Sequence, residues 1–193
     1  MQAMKPKDEK KVEAIAAAVY RLSVHKGLAA MTLADIAREA GLATSTLYVY
    51  YKSREDLLED VYQKAKTATV LRYGRDDDAT AALKPRIRRI WCNIVENRIE
   101  NSQCVAFLEQ YYHSEFISEA SRALGANMTA PFLELLAAGQ RSEQLKPVSP
   151  ALLAATIMGL AKETALLVAS GRLANDEQTL SDGFQICWDA IRA

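Results

Sequence analysis

The chain is poor in residues that break helices and in residues that staple loops. It has 8 Gly and 5 Pro in 193 residues, too few for a fold built from many tight turns. Abundant Ala and Leu point instead to helices. The three Cys, at 92, 104 and 187, are an odd number with neither metal-ligand spacing nor a Cys-x-x-Cys pair. That excludes a disulfide scaffold and fits buried thiols in a reducing compartment, with a redox role for Cys92 and Cys104 the lesser alternative. The two His, 25 and 113, fall in different predicted domains, and neither a Ser/His/Asp nor a Cys/His pairing is legible. No Gly-rich loop follows a strand, as a phosphate-binding turn would require. An enzyme, a cofactor and a metal site are therefore not expected. No apolar run is expected to reach the roughly 18 residues that span a bilayer. The N-terminus lacks the charged, apolar, small-residue order of a signal segment. A cytoplasmic protein without a membrane partner is expected.

Net charge is zero, which argues against general affinity for nucleic acid, but its distribution is uneven. Residues 1–54 carry 9 Lys/Arg and 5 Asp/Glu, and the remaining 139 carry 15 and 19. A basic head on an acidic body fits one DNA-facing end. The first seven residues, with Lys5, Pro6 and Lys7, read as a frayed basic arm.

Hydrophobic spacing then predicts an all-α chain of about nine helices. Val12, Ile15, Val19 and Leu22 form one stripe of a helix over 10–26, ended by Gly27. Thr32 is placed to cap a short helix carrying Leu33, Ile36, Ala37 and Ala40, and Gly41 can end it in a left-handed conformation. A second short helix begins near Thr44, with Leu47 and Tyr51 inward. Two short helices joined by a Gly-containing turn make a helix-turn-helix, whose second helix enters a DNA major groove. The outward residues of that helix are hydroxyls and phenols, followed by Lys52. Short hydroxyls suit phosphates, and Tyr48 and Tyr50 can reach phosphates or a thymine methyl.

The run Ala34-Asp35-Ile36-Ala37-Arg38-Glu39-Ala40-Gly41, then Leu42, Thr46-Leu47-Tyr48, Tyr51, Lys52 and Glu55-Asp56-Leu57-Leu58, resembles the TetR family of bacterial repressors. The resemblance is specific over about Val12 to Val61 and weak beyond it. It implies an N-terminal three-helix head that binds double-stranded operator DNA as a homodimer, and a helical C-terminal domain that dimerises and binds a small-molecule effector. By position it nominates Thr32, Thr44, Ser45, Thr46, Tyr48, Tyr50 and Lys52 as DNA contacts. Ala43 stands where the family usually has a Ser N-cap, Ser45 where Gly is common, and Tyr50 where His is frequent. These departures leave the operator unreadable by analogy.

The expected division is 1–54 for the DNA-binding head, 55–71 for a connecting helix that starts at Ser53, and 72–193 for an effector-binding and dimerisation domain. The break falls in 72–80, at Gly74 and the run Asp76-Asp77-Asp78, read as a solvated loop. Lys84-Pro85 opens a helix striped by Ile87, Ile90, Trp91, Ile94, Val95 and Ile99, with Arg86, Arg88 and Arg89 outside. A segment over 102–117 follows. A longer one from Ser118 to Gly139 should kink or break at Pro131. A helix from Ser149-Pro150 to Ser170 is apolar around a wide arc, and Asn175 is expected to cap the last one.

A pocket in this body should be apolar with a few polar fixers. Its candidates are Trp91, Phe107, Tyr111, Tyr112, His113, Met128, Phe132, Met158 and Glu163, each of which is also a plausible core residue. Tyr111, Tyr112 and His113 cannot all face one core. For the dimer interface, Leu153, Ile157, Leu160, Phe184 and Trp188 of the last two helices are expected. The alternative is that these helices wrap the body's own core. A rival reading keeps the DNA-binding head and gives the body a protein partner in place of an effector.

Overall fold

The computed structural model describes residues 8–193, so the expected basic arm lies outside the described residues. Among them the chain is all-helical: α1 Glu9–His25, α2 Leu33–Glu39, α3 Thr44–Tyr50, α4 Arg54–Tyr73, α5 Leu83–Glu100, α6 Ser102–Tyr112, α7 Glu119–Arg141, α8 Pro150–Ala169 and α9 Glu177–Ile191. The one extended feature described is an isolated antiparallel bridge between Leu145 and Arg192.

Packing divides the chain into two compact units, and not in chain order. One runs through Lys66 and takes in Gln103–Leu124; the other comprises Thr67–Ser102 and Gly125–Ala193. The sequence reading placed a boundary at 72–80, whereas packing draws α6 to the N-terminal helices. The cause is aromatic. Tyr20 of α1 lies 5.6 Å from Phe107 and Tyr62 of α4 lies 4.7 Å from Tyr111, centroid to centroid. Around these rings Ile15 and Val19 of α1, Ile36 of α2, Leu47 of α3 and Leu57, Leu58 and Val61 of α4 close a single buried core. The small three-helix core that the sequence offers is thus enlarged by two aromatic residues contributed from far along the chain.

In the second unit α5 lies against α8 and α9. Ile87, Trp91, Ile94 and Val95 bury against Leu153, Ile157 and Ala161 of α8 and against Phe184, Cys187, Trp188 and Ile191 of α9. The approach of α9 to α5 needs Gly183, since a Cβ there would come within 2.8 Å of Cη2 of Trp91. Asn93 of α5 closes the end of α4 by donating to the carbonyls of Tyr73 at 3.1 Å and Arg75 at 2.8 Å, two acceptors that a helix C-terminus leaves open. Part of the Asp run is structural. Asp77 accepts two bonds from Arg86, at 3.0 and 2.8 Å, and Asp78 accepts from the amide of Thr80 at 2.9 Å.

Some local details differ from the sequence expectation. α7 is one helix through Pro131, so no break occurs there. The cap of α9 is Asp176 and not Asn175: its carboxylate accepts from the amide of Thr179 at 2.8 Å, a bond a charged oxygen makes more strongly than an amide oxygen. And α8, although interrupted by Lys162 and Glu163, is long and apolar enough by its mean hydropathy of 1.6 to cross a bilayer; its buried face nonetheless packs into the second unit's core.

Candidate nucleic-acid interface

The head is set up by the entry to α2. Thr32 and Asp35 form a reciprocal capping box: the Asp35 amide donates to the Thr32 hydroxyl at 3.1 Å, and the Thr32 amide donates to the Asp35 carboxylate at 3.0 Å. The same carboxylate accepts from the Thr32 hydroxyl at 2.6 Å and from Arg38 at 2.8 Å, and it is paired with Lys26 at the end of α1. Bonds from Lys26 and Thr32 hold the Asp35 carboxyl well below the usual carboxylate range. A depressed carboxyl contributes stability that is present above its unfolded value, near 3.9, and is lost as pH falls through the folded value. Asp35→Asn is therefore expected to be less stable than wild type at neutral pH. In urea titrations the gap should persist down to about pH 4 and close below it. A gap that stayed constant to pH 2 would remove the charged bonds as its source.

Gly41, at φ 68, turns the chain after α2, and the Leu42 amide closes the turn on the Ala37 carbonyl at 2.8 Å. α3 then starts at Thr44 with Ala43 as an N-cap that offers no side-chain bond. Leu47 is the fully buried residue of α3, Tyr51 follows it inward, and the Tyr51 hydroxyl donates to Asp60 at 2.9 Å. With that face fixed, the opposite one is open to solvent: Tyr48 is 61% and Val49 60% exposed. Ser45 and Lys52 are also exposed, while Thr44, Thr46 and Tyr50 are half-buried. Tyr50 leans on Tyr51 at 6.5 Å and packs at the edge of the core. Thr32 is exposed, but its hydroxyl proton is committed to Asp35, so a phosphate would have to compete for it. Val49 is absent from the sequence nominations. Its signal was the 100° step of a helix, which puts it beside Tyr48 once Leu47 is inward. An exposed valine there suits a thymine methyl.

The head's cations are mostly spent inside the head. Arg21 pairs with Glu39, Lys26 and Arg38 with Asp35, and Arg54 with Glu55 and backbone carbonyls. Lys52, just past α3, makes no ion pair with a described residue and stands ready for an anion.

The nine nominated pocket residues are divided between the two units. Phe107 and Tyr111 are core of the first unit, and burial pushes the Tyr111 phenol up to about 12. Tyr112, beside them, is 44% exposed and meets exposed His113 edge-on at 5.1 Å. Trp91 is fully buried in the second unit, with Phe132 and Met158 half-buried against the same core. Met128, half-buried, is reached by the hydroxyl of Thr67, and Glu163 is exposed. Trp91 carries a feature that sequence could not give: its indole Nε1 is buried and meets no acceptor among the described residues, and the same holds for Nδ2 of Asn97, also on α5. Each such donor costs about 1–3 kcal/mol if nothing accepts from it. Cys92 and Cys187 are buried, and burial pushes the Cys187 thiol up to about 12, so neither offers a thiolate.

Four of the five nominated interface residues are buried in the protomer. Leu153, Ile157, Phe184 and Trp188 are core of the second unit and Leu160 is half-buried beside them. The open stripe of α8 is instead Leu152, Ala155, Gly159, Glu163 and Leu166, spaced 3, 4, 4 and 3, and on α9 the large exposed apolar residue is Ile186.

A buried Leu47, a capped α2 and an open face on α3 define a helix-turn-helix DNA-binding protein. The family model for bacterial regulatory proteins of the tetR family matches residues 13–61, and that for the tetracyclin repressor-like C-terminal domain matches residues 57–193. The chain belongs to the TetR family of transcriptional regulators. It is similar to an uncharacterized HTH-type transcriptional regulator of Haemophilus influenzae, 30% identical over 99 residues, and the match spans about half of each protein, 51% of this chain and 53% of the relative. Its fold is similar to that of a TetR family transcription regulator from Marinobacter aquaeolei VT8 (23% identity, TM-score 0.88, 96% of this chain and 97% of that one). A tetR family regulator from Shewanella sp. PV-4 is also similar, at 24% identity and TM-score 0.80 over 95% and 98% of the two chains.

Proposed function

We propose that the protein is a cytoplasmic, homodimeric repressor that a small-molecule effector releases from its operator. Residues 1–54 serve as the DNA-reading head, 55–71 as the connecting helix and 72–193 as the effector-binding and dimerising body. The observation that carries the reading is the open face of α3, where Tyr48 and Val49 project from a helix seated by Leu47. Two such helices in a dimer enter successive major grooves of a near-palindromic site, about 34 Å or a small multiple apart. The open stripe of α8, apolar but for Glu163, supports the dimer together with Ile186 of α9, and Ala155 and Gly159 within it permit close helix approach. The buried, unmatched donors of Trp91 and Asn97 support an apolar effector that carries a hydrogen-bond acceptor. The effector must favour one of two states with different head separation, or it shifts nothing.

The test is binding of the full-length protein to its own upstream intergenic DNA, by fluorescence anisotropy across a salt series. Tyr48→Ala is expected to weaken sequence-selective binding by about 1–3 kcal/mol at unchanged stability. Lys52→Ala is expected to weaken binding to all sequences and to lower the salt slope by about one unit. Unchanged affinity in both variants would remove α3 as the reading helix, and selective binding that never responds to any apolar acid or ketone in a ligand screen would favour a protein partner for the body.

A further inference from the structure

We infer that Arg54 is a positioning residue that couples the segment between α6 and α7 to the loop from which the DNA-reading helices start. Arg54 opens α4, and its side chain is 19% exposed. Nη1 donates its two hydrogens among three carbonyls of one loop, those of Leu28 at 3.1 Å, Ala29 at 3.3 Å and Met31 at 2.9 Å. These residues join α1 to α2 without regular structure of their own and end at Thr32, the cap of α2. A guanidinium suits the task, because it keeps its charge at all accessible pH and presents several donors in a fixed plane.

The other face of the same guanidinium is covered from a distant part of the chain. Its Cζ lies 4.7 Å from the ring centroid of Phe116, within the range of a cation–π contact. Phe116 is itself held in place: its carbonyl accepts from the Tyr111 hydroxyl at 3.2 Å, and its amide donates to Ser114 at 3.3 Å. Two residues on, the Ser118 hydroxyl donates to Glu59 of α4 and accepts from the Ser121 amide at 3.0 Å, which caps α7. The start of α7 and the α1–α2 loop are thereby joined through one charged group. A displacement of the first turn of α7 withdraws the ring from Arg54 and loosens the three carbonyls that place α2. The coupling concerns the head's own geometry, and it rests on the DNA-binding reading only for its consequence.

Hydrogen–deuterium exchange on the full-length protein without DNA tests it. Phe116→Leu keeps an apolar side chain and removes the ring face. It is expected to speed exchange of the amides of residues 28–35 by roughly two- to five-fold, the factor that a cation–π contact supplies, while amides in the middle of α1 keep their wild-type rate. In an Arg54→Gln background, where loop exchange is already fast, Phe116→Leu is expected to add nothing. Wild-type loop exchange in Phe116→Leu overturns the coupling. So does an equal rise through α1, which would make Phe116 ordinary core, and so do effects that add in the double variant. Because no DNA is present, failure here is distinct from failure of the operator-binding test.

Discussion

Trp188→Asp is expected to unfold the second unit, where the sequence alone predicts only a broken dimer. Trp188 is 9% exposed and stacks in a row of rings, 6.4 Å from Phe184, which in turn lies 6.0 Å from Trp91. Lys84 stands over its ring at 5.5 Å. Removing a buried indole costs about 3–5 kcal/mol, and a carboxylate left in its place adds the cost of a buried charge that Lys84 meets only in part. Against a total stability of about 5–15 kcal/mol, that leaves little. Ile186→Asp provides the contrast. Ile186 is 63% exposed, so its replacement is expected to leave stability within about 0.5 kcal/mol and to shift the monomer–dimer equilibrium strongly. Thermal melts and light scattering on both variants decide the matter. A Trp188→Asp protein that melts like wild type and is monomeric would return the interface to the face that the sequence nominated.

The sequence cannot tell those two faces apart, for a physical reason. A helix with one apolar stripe declares its inward side, as α1 does through Ile15 and Val19. α8 has apolar residues on both sides: Leu153, Ile157 and Ala161 face the core while Leu152, Ala155 and Leu166 face solvent. Periodicity cannot say which side a protomer keeps and which it offers. The same limit applies to α6. Its apolar positions were legible, but nothing local in Phe107 or Tyr111 reveals that their partners are Tyr20 and Tyr62 of the head. By contrast α2 and α3 were readable almost to the residue, because the Thr32 cap, Gly41 and the Leu47–Tyr51 spacing are all local signals that agree. What escaped within the head was the use of each polar group. Thr32 reads as a cap and a DNA contact, but sequence does not show that Asp35 takes its hydroxyl proton. Nothing in the sequence around Arg54 shows its carbonyl partners.

Leu47→Ala is expected to abolish operator binding although Leu47 can touch no DNA. α3 has seven residues and one fully buried side chain of its own, and an isolated helix of that length does not persist in water. Its position is therefore borrowed from the buried core that Leu47 joins, and emptying that place costs about 2–5 kcal/mol. Tyr48→Ala is expected to lose affinity by a different route, with stability unchanged because its side chain is already exposed. Urea unfolding separates the two variants. A second measurement separates them more sharply. Osmolytes excluded from protein surface favour burial, so added trimethylamine N-oxide is expected to restore part of the DNA binding of Leu47→Ala by reseating α3. It should restore none to Tyr48→Ala, whose helix was never unseated. Equal rescue of both would mean that Tyr48 supports the fold of the head and does not read the groove. Rescue of neither, with wild-type stability in Leu47→Ala, would mean that α3 is anchored by Tyr51 and its bond to Asp60 and not by Leu47.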